Sequence, residues 1–230
     1  MAIALDGTSF GTTEVDGTQL TWTHIVAGDN RLLVVGVPIA HNTIRVQSVT
    51  YAGSALTFIA GTTNTVSAPD TYVGLWYILA PNIGTNTVAV NYDGTLDNLG
   101  GGAISYTDVA QTGNPEGSIT GTVSGTAGTV TVTTVADNSW VVDAVHNSDN
   151  QALTVGAGQT ERLEFRVALA TSEGAMSDEG PVTPAGAVAM SWTSIGTDQW
   201  AMVAASFAPV GGGGTTVTTA GWKSLMGVGR

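Results

Sequence analysis

Along most of this chain, apolar positions alternate with polar ones or run unbroken for a few residues. They almost never recur with the spacing of a helix. "RLLVVGVPI" (31–39), "TYVGLWYILA" (71–80), "NTVAVNY" (86–92), "GAISYTDV" (102–109), "GTVTVTTV" (128–135), "SWVVDAV" (139–145), "AVAMSWT" (187–193) and "WAMVAASFA" (200–208) are short and rich in β-branched or aromatic residues. Such runs predict strands. Asp6-Gly7, Asp16-Gly17, Gly28-Asp29-Asn30, Pro81-Asn82 and Asp93-Gly94 punctuate them; these pairs favour the backbone angles that tight turns need. No amphipathic helix of ten or more residues is indicated before residue 211.

Many short strands at regular intervals predict an all-β, jelly-roll-like antiparallel β-sandwich. The run "VGLWYILA" is apolar at nearly every position, so it should be covered on both faces. The predicted core comprises Leu33, Val35, Val37, Leu75, Tyr77, Leu79, Val88, Val90, Ile104, Tyr106, Trp140, Val142, Met190, Trp192, Met202 and Phe207.

The chain also resembles itself. "NRLLVVGV" (30–37) parallels "NSWVVDAV" (138–145), and "VTYAGSALT" (49–57) parallels "LTVGAGQTERL" (153–163). "GTNTVAVNY" (84–92) parallels "AGAVAMSWT" (185–193), and "GGAISYTDVA" (101–110) parallels "QWAMVAASFA" (199–208). The order is kept while the offset falls from 108 to 98. This organisation predicts one sandwich domain over 1–210, with half-repeats of about 20–112 and 128–210 that share a core. The Gly/Ser/Thr stretch between them, 113–128, has room for an edge strand.

Composition narrows the functional classes. Charged residues are only 10% of the chain and net charge is −12. An acidic surface repels nucleic-acid backbones and anionic lipids, so neither nucleic acid nor membrane is an expected partner. The charge is uneven: residues 1–210 hold 4 basic and 18 acidic side chains, whereas 211–230 hold Lys223 and Arg230 and no acid. With no cysteine, disulfides, zinc–thiolate sites and thiol nucleophiles are excluded. The start "MAIALDGTSFG" has no basic region and no long apolar run, so no signal peptide is expected.

Catalytic chemistry has little to stand on. His24, His41 and His146 are far apart and lack a metal-ligand spacing. No G-x-S-x-G elbow accompanies them, although triads assemble from distant segments. Asp178 and Glu179, in "SDEGPVTPAG", are adjacent, and adjacent strand residues face opposite ways; a loop is the expectation there. "NLGGGA" (98–103) lacks the lysine and the helix of a phosphate loop. Acidic residues gather near predicted strand ends, among them Asp93, Asp97, Asp137, Asp143 and Asp149. Of these, Asp93, Asp97 and Asp149 are weak calcium candidates, with solvated turns as the plainer reading. No metal or cofactor is expected. Trp22, Trp76, Trp140, Trp192 and Trp200 supply rings that a sugar-binding sandwich would use, but most lie in predicted strands, where burial is expected.

The last twenty residues differ from all the rest. "GGGGTTVTT" is a spacer, and in "WKSLMGVGR" Trp222, Leu225 and Met226 fall at i, i+3 and i+4. They form one apolar stripe on a single helical turn. One turn has no stability alone in water, so the segment reads as an anchor that orders against a partner, with Trp222, Lys223, Leu225, Met226 and Arg230 as its binding residues. Its positive charge suits the acidic surface of another copy.

"LTWTHIVAGDNRLLVVGV" (20–37), "VTYAGSALT" (49–57), "LWYILAP" (75–81) and "WKSLMGVGR" (222–230) resemble stretches of tailed-phage virion structural proteins. The match is one of pattern, without a diagnostic motif. The resemblance implies a head decoration protein, a head fibre or a tail-associated β-sandwich, and transfers no catalytic residue. It implies a chain made in the host cytoplasm and displayed on the virion surface, bound to copies of itself and to another virion structural protein. The alternative is a receptor- or glycan-binding adhesin module on a phage tail or a cell surface. An enzyme is the least expected class.

Overall fold

The computed structural model describes residues 1–13, 15–66, 70–96, 98–149, 151–166 and 172–211. The described residues are all-β, with fifteen strands and no helix, and antiparallel sheets pack as a sandwich. The first half holds β1 (Ala4–Thr13), β2 (Gly17–Val26), β3 (Leu32–Ala40), β4 (Val46–Tyr51), β5 (Ser54–Ala55), β6 (Thr57–Asn64), β7 (Thr71–Leu79), β8 (Gly84–Leu96) and β9 (Leu99–Thr107). The second holds β10 (Gly117–Thr133), β11 (Ser139–Asn147), β12 (Thr154–Val155), β13 (Thr160–Arg166), β14 (Glu173–Val182) and β15 (Ala187–Phe207).

One strand order serves both halves. In the first, β1-β9-β3-β7-β6 form one sheet and β2-β8-β4-β5 the other. In the second, the sheet β10-β15-β11-β14-β13 repeats the first of these. Its two longest strands also build the second layer. Residues 117–125 of β10 pair with 198–206 of β15, the ladder shifts register between Gly125 and Ala127, and 127–133 pair with 187–193. The short β12 adds to the outer part of β15. Each half thus carries a jelly-roll-like arrangement of its own. The Gly/Ser/Thr stretch after residue 113 supplies β10, an edge strand.

The ladders also fix which residues correspond. Leu32 opposes Tyr106 in the first half, and Trp140 opposes Phe207 in the second. With Leu32 equivalent to Trp140, Phe207 is the counterpart of Tyr106, three residues beyond the position that sequence similarity alone pairs with it. Local details recur as well. Asp6 accepts the Ala27 amide at 2.9 Å, and Glu116 accepts the Ala136 amide at 2.8 Å, so one carboxylate fastens each equivalent turn. Asn30 and Asn138 then both take the left-handed conformation, φ 49° and 64°, which asparagine tolerates better than most residues.

Three apolar layers result. In the middle, Val34, Leu75, Ile104 and Tyr106 meet Val142, Met176, Val203 and Phe207, joining the halves face to face. Outside it, Val35, Trp76, Val88 and Tyr92 fill the first sandwich; Val145, Met190, Trp192 and Trp200 fill the second. The two central sheets approach closely because Gly36 has no side chain. A Cβ there would lie 2.8 Å from the Ala144 Cβ and 2.9 Å from the Met176 Sδ. Of the predicted core, only Tyr77, Leu79 and Trp140 are less than fully buried, and all three pack against the middle layer.

The strands give the molecule two unlike ends. At one, the Met1 ammonium reaches the Val210 carbonyl at 3.5 Å, and Val109 bridges Pro209. The chain therefore leaves the body beside its own start. At the other end β3 and β11 finish and β7 and β14 begin. A nine-residue strand separates the ends by roughly 30 Å.

Candidate functional site

The five anchor residues, Trp222, Lys223, Leu225, Met226 and Arg230, lie outside the described residues, as does Asp97. The other two calcium candidates fall in different halves. The Asp93 carboxylate on β8 accepts the Arg45 amide at 2.8 Å. Asp149 follows β11, where its amide donates to the Asn147 Oδ1 at 2.8 Å. Among the described residues, no three His, Cys, Asp or Glu side chains form a group able to hold a metal ion.

Polar chemistry is instead concentrated inside the sheets. His24, on β2, is buried between the two sheets of the first half. Ser9 Oγ lies 2.7 Å from its Nδ1, and Ser105 Oγ lies 3.0 Å from its Nε2. The Ser105 hydroxyl donates to Asp6 Oδ2 at 2.8 Å, and Trp22 Nε1 donates to Ser9 Oγ at 3.0 Å. Because Ser105 spends its proton on Asp6, the chain of bonds runs one way: His24 donates from Nε2 and accepts the Ser9 proton at Nδ1. This resembles the nucleophile–base–orienter logic of hydrolases. Burial, partly offset by Asp6, holds the His24 imidazole down at about 4. So low a value makes it a weak base near neutral pH, and the relay ties β1, β2 and β9 together.

A second network fills the outer core of the other half. Asp143 stands mid-strand on β11 and is fully buried, not at a strand end as its acidic neighbours suggest. It accepts the Ser177 amide at 2.9 Å and the Ser177 hydroxyl at 2.7 Å on Oδ1, and Trp192 Nε1 at 2.7 Å on Oδ2. Burial raises its carboxyl to about 7 in spite of those donors. Gln159 closes the group, donating to Ser177 Oγ at 2.7 Å.

"SDEGPV" proves to be strand, not loop: Ser177–Val182 belong to β14. Its adjacent carboxylates part company as alternation requires. Asp178 is buried, accepting the Tyr106 hydroxyl and Arg162 Nε at 2.7 Å each, while Glu179 is only partly covered. Burial, reinforced by Asp178, pushes the Tyr106 phenol well above its ordinary value.

Two further features bear on binding. Trp22, Trp76, Trp192 and Trp200 are buried and Trp140 is largely covered, so none offers a free ring to a sugar. At the end away from the termini, buried polar residues gather: Asn64, His146, Asn147, Glu173 and Gln199. Asn64 Nδ2 donates to the Val123 and Trp200 carbonyls at 2.9 and 3.2 Å, and His146 Nδ1 lies 3.0 Å from the Tyr72 carbonyl. The sequence gives little sign of these networks, since their members lie as much as 136 residues apart and meet only through ladder register. Compared with known protein families, curated proteins and solved structures, the chain matches none of them.

Proposed function

We propose that this chain is a non-enzymatic virion structural protein, a capsid decoration or similar surface component that assembles through its C-terminal segment. The observation that carries the reading is the contrast between an acidic body and a basic, apolar terminus. The fold supports it by geometry: the chain leaves the body at Val210, beside Met1, opposite the end where β3 and β11 finish. An anchor formed by Trp222, Leu225 and Met226 would hold the body by one end and present the other. Lys223 and Arg230 would favour an acidic acceptor, another copy or a second virion protein. The buried hydrogen-bond networks serve the body's stability, and catalysis forms no part of this reading.

The test is deletion of 211–230. The shortened protein keeps the melting transition of the full chain and disappears from purified particles, as measured by quantitative mass spectrometry of the particle. Particles that still carry the shortened protein at the full-length copy number would overturn the proposal. The rival reading, an adhesin module, gains no exposed tryptophan from the described residues; recognition would fall to the loops at the end away from the termini.

A further inference from the structure

We propose that the open edge of β10 joins two copies of this chain by antiparallel strand pairing about a two-fold axis at Gly121. This names a surface for the self-association in the proposed function and takes its biological role from that reading.

The stretch Gly117–Gly125 reads Gly-Ser-Ile-Thr-Gly-Thr-Val-Ser-Gly. Apart from Ile for Val, it is the same backwards. Antiparallel pairing of this stretch with itself about Gly121 sets Ser118 opposite Ser124 of the second copy, Ile119 opposite Val123 and Thr120 opposite Thr122. Like pairs of hydroxyl and of β-branched side chains stabilise an antiparallel ladder. A two-fold contact requires a patch that is complementary to itself.

The backbone is oriented for it. The Ser148 amide donates to the Gln199 carbonyl at 3.0 Å, so the odd-numbered residues of this part of β15 point their amides at β11. The even-numbered ones, Trp200, Met202, Ala204 and Ser206, then bond β10 at Val123, Gly121, Ile119 and Gly117. Ser118, Thr120, Thr122 and Ser124 direct their N–H and C=O groups to the other side, where β10 has no strand neighbour among the described residues. Self-pairing about Gly121 matches these outward residues with one another, so parity and sequence symmetry agree. Ile119 and Val123 are 38% and 39% exposed, large apolar side chains that such a contact would cover.

Natural edges are blunted by charge, by proline or by irregularity. β13 carries Glu161, Arg162 and Glu164. β1 carries Asp6 and a register shift beside it, and β6 has a shift between Phe58 and Ala60. Gly117–Gly125 has no charge, no proline and no shift across its nine residues. On a body whose like charges repel other copies, an uncharged strip is where two copies can approach.

The absence of cysteine makes the test specific to register. In the proposed pairing, Ile119 and Val123 of the second copy are directly opposite, with Cα atoms about 4.5 Å apart, within reach of a disulfide. Full-length I119C and V123C, mixed and oxidised, form a cross-linked dimer; either variant alone does not. Sedimentation of the wild-type chain shows a dimer, and T122P, which removes an N–H directed at solvent within one copy, weakens it by at least about tenfold with the melting transition retained. A wild-type chain that stays monomeric up to millimolar concentration, or either single variant cross-linking as well as the mixture, overturns the inference. Deletion of 211–230 should leave this dimer intact. A missing dimer therefore sinks the edge pairing alone, and unaltered incorporation of the deletion variant sinks the anchor alone.

Discussion

The two halves share a strand order, a carboxylate-fastened turn and an asparagine in the left-handed region, yet their outer cores differ in kind. The ladders make Val35 and Trp76 the counterparts of Asp143 and Ser177, and Tyr92 and Trp192 stand on the corresponding layer strands, β8 and β15. In the first half a valine and a tryptophan fill the space apolarly, and the buried Tyr92 hydroxyl has no hydrogen-bond partner among the described residues. In the second, the large ring has moved to the neighbouring layer strand and its indole N–H is met by a buried carboxylate. One architecture thus tolerates an apolar solution and a hydrogen-bonded one at the same place. The polar solution is viable because every donor around Asp143 is used.

That difference yields the largest expected effect. Asp143→Val leaves the Trp192 indole and the Ser177 hydroxyl buried without acceptors and should cost about 3–5 kcal/mol, since each orphaned group costs roughly 1–3 kcal/mol. The counterpart change Val35→Ala makes a small cavity at the equivalent place and should cost less, about 2 kcal/mol. In a Trp192→Phe background the cost of Asp143→Val should fall by about 1–3 kcal/mol, because one donor is already gone. Urea unfolding of the four variants measures all of this. Additive costs in the Trp192→Phe background would mean that the indole–carboxylate bond does not carry the difference.

Acidity separates the networks next. The native Asp143 carboxyl, raised by burial to about 7 from 3.8, holds its proton when the unfolded chain has lost it. Its contribution is therefore complete below pH 4 and fades as pH rises through 7. His24 and His146, both lowered by burial to about 4, work the other way. They stay neutral where the unfolded chain binds protons, so their contribution is complete above about pH 6.5 and is lost as pH falls through 4. The two trends oppose each other between pH 4 and 6.5. Asp143→Asn removes the Asp143 trend and leaves the others in place, so the stability gap between wild type and variant should narrow as pH rises from 5 to 7.5. A gap constant over that range would place the Asp143 carboxyl at an ordinary acidity.

How much of this the sequence discloses depends on the distance over which its physics acts. Alternation in "NTVAVNY" and the unbroken run "VGLWYILA" report local burial, and β7, β8 and the core residues lie where those patterns put them. Paired segments such as 30–37 and 138–145 also report common strand positions, because neighbours in a strand share an environment. Asp143 shows the limit. In "SWVVDAV" it reads as a polar strand-end residue, since its donors come from 34 and 49 residues away and only the ladders bring them in. The same holds for Ser9, His24 and Ser105. "SDEGPV" reads as a loop because Pro181 and the nearby Pro184 signal one, whereas the burial of Asp178 is decided by Tyr106 and Arg162, distant in sequence.

The smallest expected effect concerns what the halves have in common. Asp6→Asn and Glu116→Gln each weaken the hold of a side chain on a turn amide, and each should cost about 1 kcal/mol, the usual scale for a single hydrogen bond. The surroundings push the two apart. Asp6 also receives the Ser105 hydroxyl at the end of the His24 relay, whereas Glu116 also receives the Ser139 hydroxyl at 2.8 Å and the Val135 amide at 3.3 Å. Removing the Asp6 charge additionally takes away the field that partly offsets burial at His24, so Asp6→Asn should lower the imidazole further and Glu116→Gln should leave it where it is. Nuclear magnetic resonance titration of the His24 ring reads this directly. If both variants cost the same and neither moves His24, the two carboxylates are interchangeable turn fasteners, and the relay in the first half is no more than a packing contact.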